Sequence, residues 1–498
     1  MNAETRTEAL QRGGIASIAA ALLVGLGLRL RDLTAGALQL DEGYTVVLAS
    51  ADVGTILRTI ATDPNPVLSS LAYKLWTALF GTSELAWESF AVLVGIVGLG
   101  VLTAFAARVF GPPCAVAAAW IGAFSPLHVY FSQQVRGYAL VMLWGTLAAW
   151  TLLRDLRSPS PRRAAGFVIA ANLLVATHYY GLLVVAALLS GAFLAHPGGR
   201  LRTVGLGGAF TVVAIPTLFC LYLQYTVYYG FYWIPKPAGV LVENAVFRLA
   251  GGNRLLVGIA ALTLVAGALW VARRPEHPRA QHRRAFAVLF AWLAMPAVLA
   301  VAASVLGKAF FHSRYIVVCL PPVILLLAFG LSRLPRRSWR AAATALVCLL
   351  CLPRLLDQHR AMVGTAPEQA AYERVSTGFQ EGDVVLHVTK ESFVPALFHH
   401  GLADGRRLPE YFLQGTPTSN VMVYWLPHPT ELSPGALAGY RRVWVVRKLT
   451  EHPRHAERLF QDPRFRRLEP KLVERDEAGG VFLFELTALA PPTPSPKP

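Results

Sequence analysis

Pro66-Val-Leu-Ser-Ser-Leu-Ala-Tyr-Lys-Leu-Trp-Thr-Ala-Leu-Phe80 is the stretch on which the topology turns. It is apolar for about fifteen residues, whereas a helix needs about twenty to cross a ~30 Å hydrocarbon layer. Counted as a span, it would put the connector from Arg154 to Arg163 outside and reverse most connectors after it. Read as an interfacial helix on the outer surface, it leaves the charge bias of all connectors consistent. Residues 32–84 then form one large outer loop carrying juxtamembrane helices.

Working outward, apolar runs and connector charges read together give about eleven spanning helices. They lie near 13–31, 85–108, 112–129, 136–153, 164–178, 180–196, 203–224, 254–272, 285–307, 314–332 and 339–356. One alternate set of connectors holds Arg108, Arg154, Arg157, Arg162, Arg163, Arg200, Arg202, Arg273, Arg274, Arg279, Arg283, Arg284, Arg333, Arg336, Arg337 and Arg340. The positive-inside rule puts that set and the N-terminus in the cytoplasm of a multi-pass cell-membrane protein. The first run, Gly13–Leu30, exceeds the 7–15 residues typical of a signal core and reads as an uncleaved helix.

Composition agrees. Of 498 residues only 15% are charged and 54% are hydrophobic, with a mean hydropathy of +0.46. Soluble domains average about 25% charged, so a soluble enzyme and a disordered polybasic chain are both excluded. The formal charge of +17 sits in short connectors, with no basic stripe interleaved with aromatics, which argues against nucleic acid. All five cysteines fall in apolar runs. Cys348 and Cys351 lack a second ligand pair and read as small buried hydrophobes.

From about Gln358 the composition becomes that of a soluble domain. A helix is expected at Glu368–Phe379 and strands at Asp383–Val388, Asn420–Trp425, Arg442–Arg447 and Val481–Glu485. The fold class expected is therefore an all-α polytopic membrane domain, residues 1–357, plus a small C-terminal extracytoplasmic α/β domain, residues 358–489. The Pro-rich segment 490–498 reads as a disordered tail.

The polar residues at outer boundaries are the candidate chemistry. Asp41-Glu42 suits a general base or a metal, or else Asp41 caps a helix starting near Gly43. Asp63 precedes Asn65-Pro66, which reads as an N-cap and first helical residue. Arg136 and Tyr138 close a polar stretch that begins at Ser125, and guanidinium suits bidentate phosphate contacts. His178 with Tyr179 and Tyr180 marks another outer boundary. Lys308, His312, Arg314 and Tyr315 bring three potential cations to a third, against the inside bias. Tyr225–Tyr232 is rich in tyrosines that suit a sugar or, equally, the membrane interface. A secondary transporter would place its charges at the midplane and show inverted broken helices, which are absent.

In order along residues 13–335, these motifs resemble the GT-C superfamily of membrane glycosyltransferases. The resemblance runs to bacterial relatives of the polyprenyl-phosphate-mannose protein mannosyltransferases and the lipid A aminoarabinose transferases. Leu40-Asp-Glu-Gly-Tyr44 resembles their first-loop acidic motif. Asp63-Pro-Asn-Pro66 with Leu68 resembles the Asp-x-His-Pro-Pro-Leu element, departing from it at Asn65 and Val67. Leu79-Phe-Gly-Thr-Ser-Glu84, Arg108-Val-Phe-Gly111, Ser125 to Leu140, Thr177-His-Tyr-Tyr-Gly181 and Arg314-Tyr315 to Pro321 follow in register.

The resemblance implies transfer of a sugar from a polyprenyl-phosphate carrier to a glycan, lipid or protein acceptor on the outer face. In that reading Asp41 and Glu42 are catalytic, while Arg136, Arg314 and Lys308 bind the donor phosphate. Asp63, Tyr138, His178, Tyr179, His312 and Tyr315 line the substrate site. No cofactor is fixed by it, and a divalent cation, if used, would sit on Asp41, Glu42 and His178. A lipid-linked sugar translocase would use the same cations but would need no carboxylate at Asp41.

Overall fold

The computed structural model describes residues 3–59, 65–227, 234, 239–272, 277–307, 310–387, 390–399, 408–412, 440–446, 468–476 and 481–488. The expected strand at 420–425, the tail after 490 and most of the tyrosine-rich loop, 228–233, lie outside these residues.

Among the described residues seven helices are long and apolar enough to cross a membrane: Arg12–Leu30, Glu84–Phe110, Tyr138–Arg157, Pro197–Thr226, Gln281–Leu306, Tyr315–Ser332 and Arg337–Gly378. Gly239–Leu249 and Arg254–Trp270 meet at a 77° bend and make an eighth if taken as one broken span. Three further runs expected to cross are shorter as helices. Pro112–Phe124 ends at the extended Ser125, just before Pro126, and Pro161–Thr177 and Gly181–Ala195 have 17 and 15 residues. The residue 66–80 segment forms the helix Leu68–Phe80. Thirteen residues rise only about 20 Å, too little to span. Leu201, Leu262 and Leu306 stay exposed on these helices, as lipid-facing side chains should.

The chain divides into two compact units. The first comprises Met1–Leu33, Ile60–Ala72 and Leu85–His359. Its core interleaves Phe105, Leu152, Phe167, Leu188, Trp292 and Phe329. Trp292 packs so tightly that a Cβ on Gly145 would lie 2.9 Å from its ring, and its indole donates to the Val318 carbonyl at 2.9 Å.

The second unit comprises Thr34–Thr59, Tyr73–Glu84 and Arg360–Pro498. It contains a five-stranded sheet of β1 (Asp383–His387), β2 (Glu410–Phe412), β3 (Arg442–Val446), β4 (Leu468–Asp476) and β5 (Val481–Ala488), in the order β2-β1-β3-β5-β4. β1 is parallel to β2 and β3; β5 is antiparallel to β3 and β4. The expected strands at 383, 442 and 481 are β1, β3 and β5, while β2 and β4 had no clear sequence signal. The helix Ala366–Gly378 lays Ala371, Tyr372 and Val375 on Val385, Trp444 and Leu483 of the sheet. Where the central strands β1 and β3 begin, Asp383 and Arg442, paired in register, join through two hydrogen bonds of 2.7 and 2.5 Å.

Candidate functional site

The acidic pair lies on the helix Leu40–Ser50. The helix begins three residues earlier than the sequence suggested, with Gln39 rather than Asp41 as N-cap. Glu42, at the third helical position, accepts the Gln39 N–H at 2.9 Å, so its carboxylate closes the first turn and answers the positive helix end. Glu42 is buried, and Asp41 beside it is half-buried. The helix is clamped within the second unit. Tyr44 and Val47 pack on Phe393, Val394 and Leu397 of the helix Lys390–His399. Gly43 is the point of closest approach: a Cβ there would lie 2.9 Å from Val394 Cγ1 and 3.1 Å from the Pro395 nitrogen.

In the first unit three separate turns converge. A Cβ on Gly137 would lie 3.0 Å from Thr177 Cγ2 and 3.1 Å from Ser69 Cβ. The turns after Asn65, around Arg136 and at His178 therefore touch. Asn65 does not cap a helix, because the helix starts only at Leu68; its Oδ1 instead lies 3.5 Å from Arg136 Nη2. Arg136 is half-buried and interacts electrostatically with Tyr138, His178 and Tyr315.

Ring packing joins these groups. His178 lies 5.9 Å from Tyr138 and 4.9 Å from Tyr315, and Tyr315 lies 5.3 Å from His312. Both histidines are held alike. His178 Nδ1 accepts the Tyr180 N–H and His312 Nδ1 the Arg314 N–H, each at 3.2 Å. That leaves Nε2–H as the donor of each ring. Burial and the nearby Arg248 charge hold the His312 imidazole below its usual range, so it is a neutral donor and not a third cation. Tyr180 stacks on Phe310 at 4.7 Å and donates its hydroxyl to the Phe310 carbonyl at 2.5 Å.

The structure thus brings together Arg136, Tyr138, His178, His312, Arg314 and Tyr315 in one unit, while Asp41 and Glu42 stand in the other. Tyr179 is a buried core residue there, not a lipid-facing one. Asp63 and Lys308 lie outside the described residues. Among the described residues no three His, Cys, Asp or Glu side chains form a metal site.

One polar cluster escaped the sequence reading. Arg29, in the first span, is fully buried. It donates to the Gly25 carbonyl at 2.6 Å, lies 2.9 Å from His128 Nδ1, and reaches the Gly122 carbonyl at 3.3 Å. His128 Nδ1 lies 3.2 Å from Ser132 Oγ. An arginine one residue from the end of an apolar run looks like an ordinary flank, and only the helix's length and the packing of Pro126–Phe131 bring it inside.

Residues 64–223 match the family model of dolichyl-phosphate-mannose-protein mannosyltransferases. No curated protein matches the sequence. Among solved structures, ArnT from Cupriavidus metallidurans bound to undecaprenyl phosphate superposes with a TM-score of 0.63 at 15% identity, covering 96% of this chain and 99% of that one. Its apo form gives 0.65 at 16% identity, covering 97% and 100%. The archaeal oligosaccharyltransferase AglB from Archaeoglobus fulgidus, in complex with an inhibitory peptide and a dolichol-phosphate, gives 0.52 at 12%, covering 88% and 69%. With the apolar helices, this likeness makes the chain a multi-pass membrane protein. In motif order over the first two thirds of its sequence, and in fold over nearly all of it, this chain resembles the GT-C membrane glycosyltransferases.

Proposed function

We propose that the protein transfers one sugar from a polyprenyl monophosphate carrier to an acceptor hydroxyl on the extracytoplasmic face. The observation that carries this reading is the convergence of Arg136, Tyr138, His178 and Tyr315 at three touching turns. A guanidinium beside neutral N–H and O–H donors is the environment that a departing phosphate needs.

The step is a single displacement with inversion. The Asp41 carboxylate takes the proton of the acceptor hydroxyl, whose oxygen forms a bond to the anomeric carbon. The bond from that carbon to the carrier phosphate breaks, and its electron pair leaves on the phosphate oxygen. Arg136, aided by Arg314 and Lys308, stabilises that charge, and the acidity of a phosphate makes a general acid unnecessary. Glu42, committed to the Gln39 N–H, positions Asp41 by fixing the first turn of its helix.

Sidedness is part of the proposal: N-terminus inside, eleven spans, and the C-terminal domain outside. The arginine-rich connectors, which alternate with connectors poor in cations along the sequence, support it.

The test is mass spectrometry of cell-envelope glycans, lipids and glycoproteins from cells lacking the protein, complemented with wild-type, Asp41→Asn or Arg136→Ala chains. Asp41→Asn should fail to restore the modification. Arg136→Ala should cut transfer about 10²–10³-fold, the usual effect of losing one charge-stabilising donor. Full restoration by Asp41→Asn overturns the base assignment, and lipid flipping without any transfer would make the protein a translocase.

A further inference from the structure

Away from the proposed reaction site, the first unit holds a cavity of about 300 Å³. That is the lower end of the range of small-molecule pockets, about 300–1,000 Å³. Its wall is built from the ends of four helices and the N-terminal third of a fifth. Arg108 comes from the last turn of Glu84–Phe110, Arg154 and Arg157 from the last turn of Tyr138–Arg157, and Arg163 from the start of Pro161–Thr177. His196 follows Gly181–Ala195, and Arg284 lies on His277–Leu306. Buried Leu156 and Val288 give it an apolar floor.

Among the described residues no carboxylate lines this space. Asp155, next to Arg154 in sequence, is fully buried and held by Arg202 through both oxygens at 2.8 and 3.0 Å, so its charge is already compensated. Among the described residues none of the five lining arginines forms an ion pair. The inside bias explains arginines on this face, and helix dipoles explain those at C-termini. Arg163 donates to the Ser158 carbonyl and Arg154 lies over the Trp150 ring, but neither rule explains why cations from separate helices line one cavity with an apolar floor, an arrangement whose like charges an anion would join.

We propose that this cavity binds a phosphoryl group, carried either by an anionic membrane lipid or by a soluble phosphate. Several guanidinium forks around one space match the oxygens of a phosphate. Basic pockets between transmembrane helices are a recurrent way of holding lipid headgroups. The proposal is independent of the sugar transfer, since it uses none of the residues assigned there.

The full chain, purified into phosphatidylcholine nanodiscs, is titrated with phosphatidylglycerol or cardiolipin and, separately, with pyrophosphate. Binding is read by native mass spectrometry and by calorimetry. Each arginine near a phosphate contributes about fivefold in affinity. The triple variant Arg154→Gln/Arg157→Gln/Arg284→Gln should therefore bind about 100-fold more weakly, and Arg157→Gln alone about fivefold. The charge-keeping variant Arg154→Lys/Arg157→Lys/Arg284→Lys should lose far less. Should the triple Gln variant fail to fold, the single exposed substitution and the Lys variant decide. Lipid binding without pyrophosphate binding assigns the group to a headgroup, and the reverse assigns it to a soluble anion. No binding of either, or equal binding by wild type and the Gln variants, overturns the proposal.

Discussion

Gly43→Ala tests whether the packing of the Leu40–Ser50 helix sets the position of the proposed base. The new Cβ would lie 2.9 Å from Val394 Cγ1 and 3.1 Å from backbone atoms of Val394 and Pro395. Val394 is 1% exposed and β-branched, so its methyl group has little room to rotate away. Overpacking of this kind costs about 1–3 kcal/mol, and the better helix propensity of alanine returns about 1 kcal/mol. The net expectation is a loss of up to about 2 kcal/mol, relieved by pushing the helix off Lys390–His399 by a few tenths of an ångström. Asp41 lies two residues away on that helix. A misplacement approaching 1 Å lowers rates about 100-fold, so transfer should fall by about tenfold while the carboxylate remains present. Gly100→Ala is the control, because a Cβ there meets nothing within 4 Å and should leave stability equal or improved. The readouts are the thermal midpoint in detergent and the restored envelope modification. Wild-type stability and activity for Gly43→Ala would refute the argument that this contact holds the base.

Three further outcomes follow from buried charges. Burial raises the Asp383 carboxyl, but hydrogen bonds from Arg442, Trp444 and the Gln380 N–H outweigh it and hold it below its ordinary value of 3.8. Its folded value is depressed, so its stabilisation is present above the unfolded value and is lost as pH falls through the folded one. Asp383→Asn should flatten the acid limb of the melting curve below about pH 4, and an unchanged limb would contradict the assignment. Arg442→Met should destabilise the sheet by about 3 kcal/mol, read by denaturation at pH 7, since it leaves a 2%-exposed carboxylate without its cation. Arg202→Ala should lower the thermal midpoint by a similar mechanism at Asp155, and adding Asp155→Asn should recover most of the loss; a double variant as unstable as the single one would show that the ion pair is not the cause.

Particular residues show where the sequence was readable. Apolar run length identified the long helices, and length together with the charge bias of the connectors separated the Leu68–Phe80 helix from a span. It was less reliable at Pro112–Phe124, where Pro126 shortened a run that composition alone extended. Strands rich in valine and phenylalanine stood out at 383, 442 and 481, whereas charged β4 (Leu-Glu-Pro-Lys-Leu-Val-Glu-Arg-Asp) did not look like a strand until β5 paired with it. Arg136 and His178 were visible as polar residues beside apolar runs. Arg29 and the Arg202–Asp155 pair were not, because flanking arginines are ordinary and only partners distant in sequence distinguish them.

Hydrophobicity, charge bias and motif order are local or summed properties, so the sequence alone established a polytopic membrane chain with a family resemblance and the polar residue types that flank its apolar runs. What required tertiary structure was which of them meet. Contacts such as Gly43 on Val394, Gly137 against Thr177 and Ser69, and the arginine-walled cavity join residues tens to hundreds apart. Their distances are set by side-chain packing between helices, which no periodicity encodes.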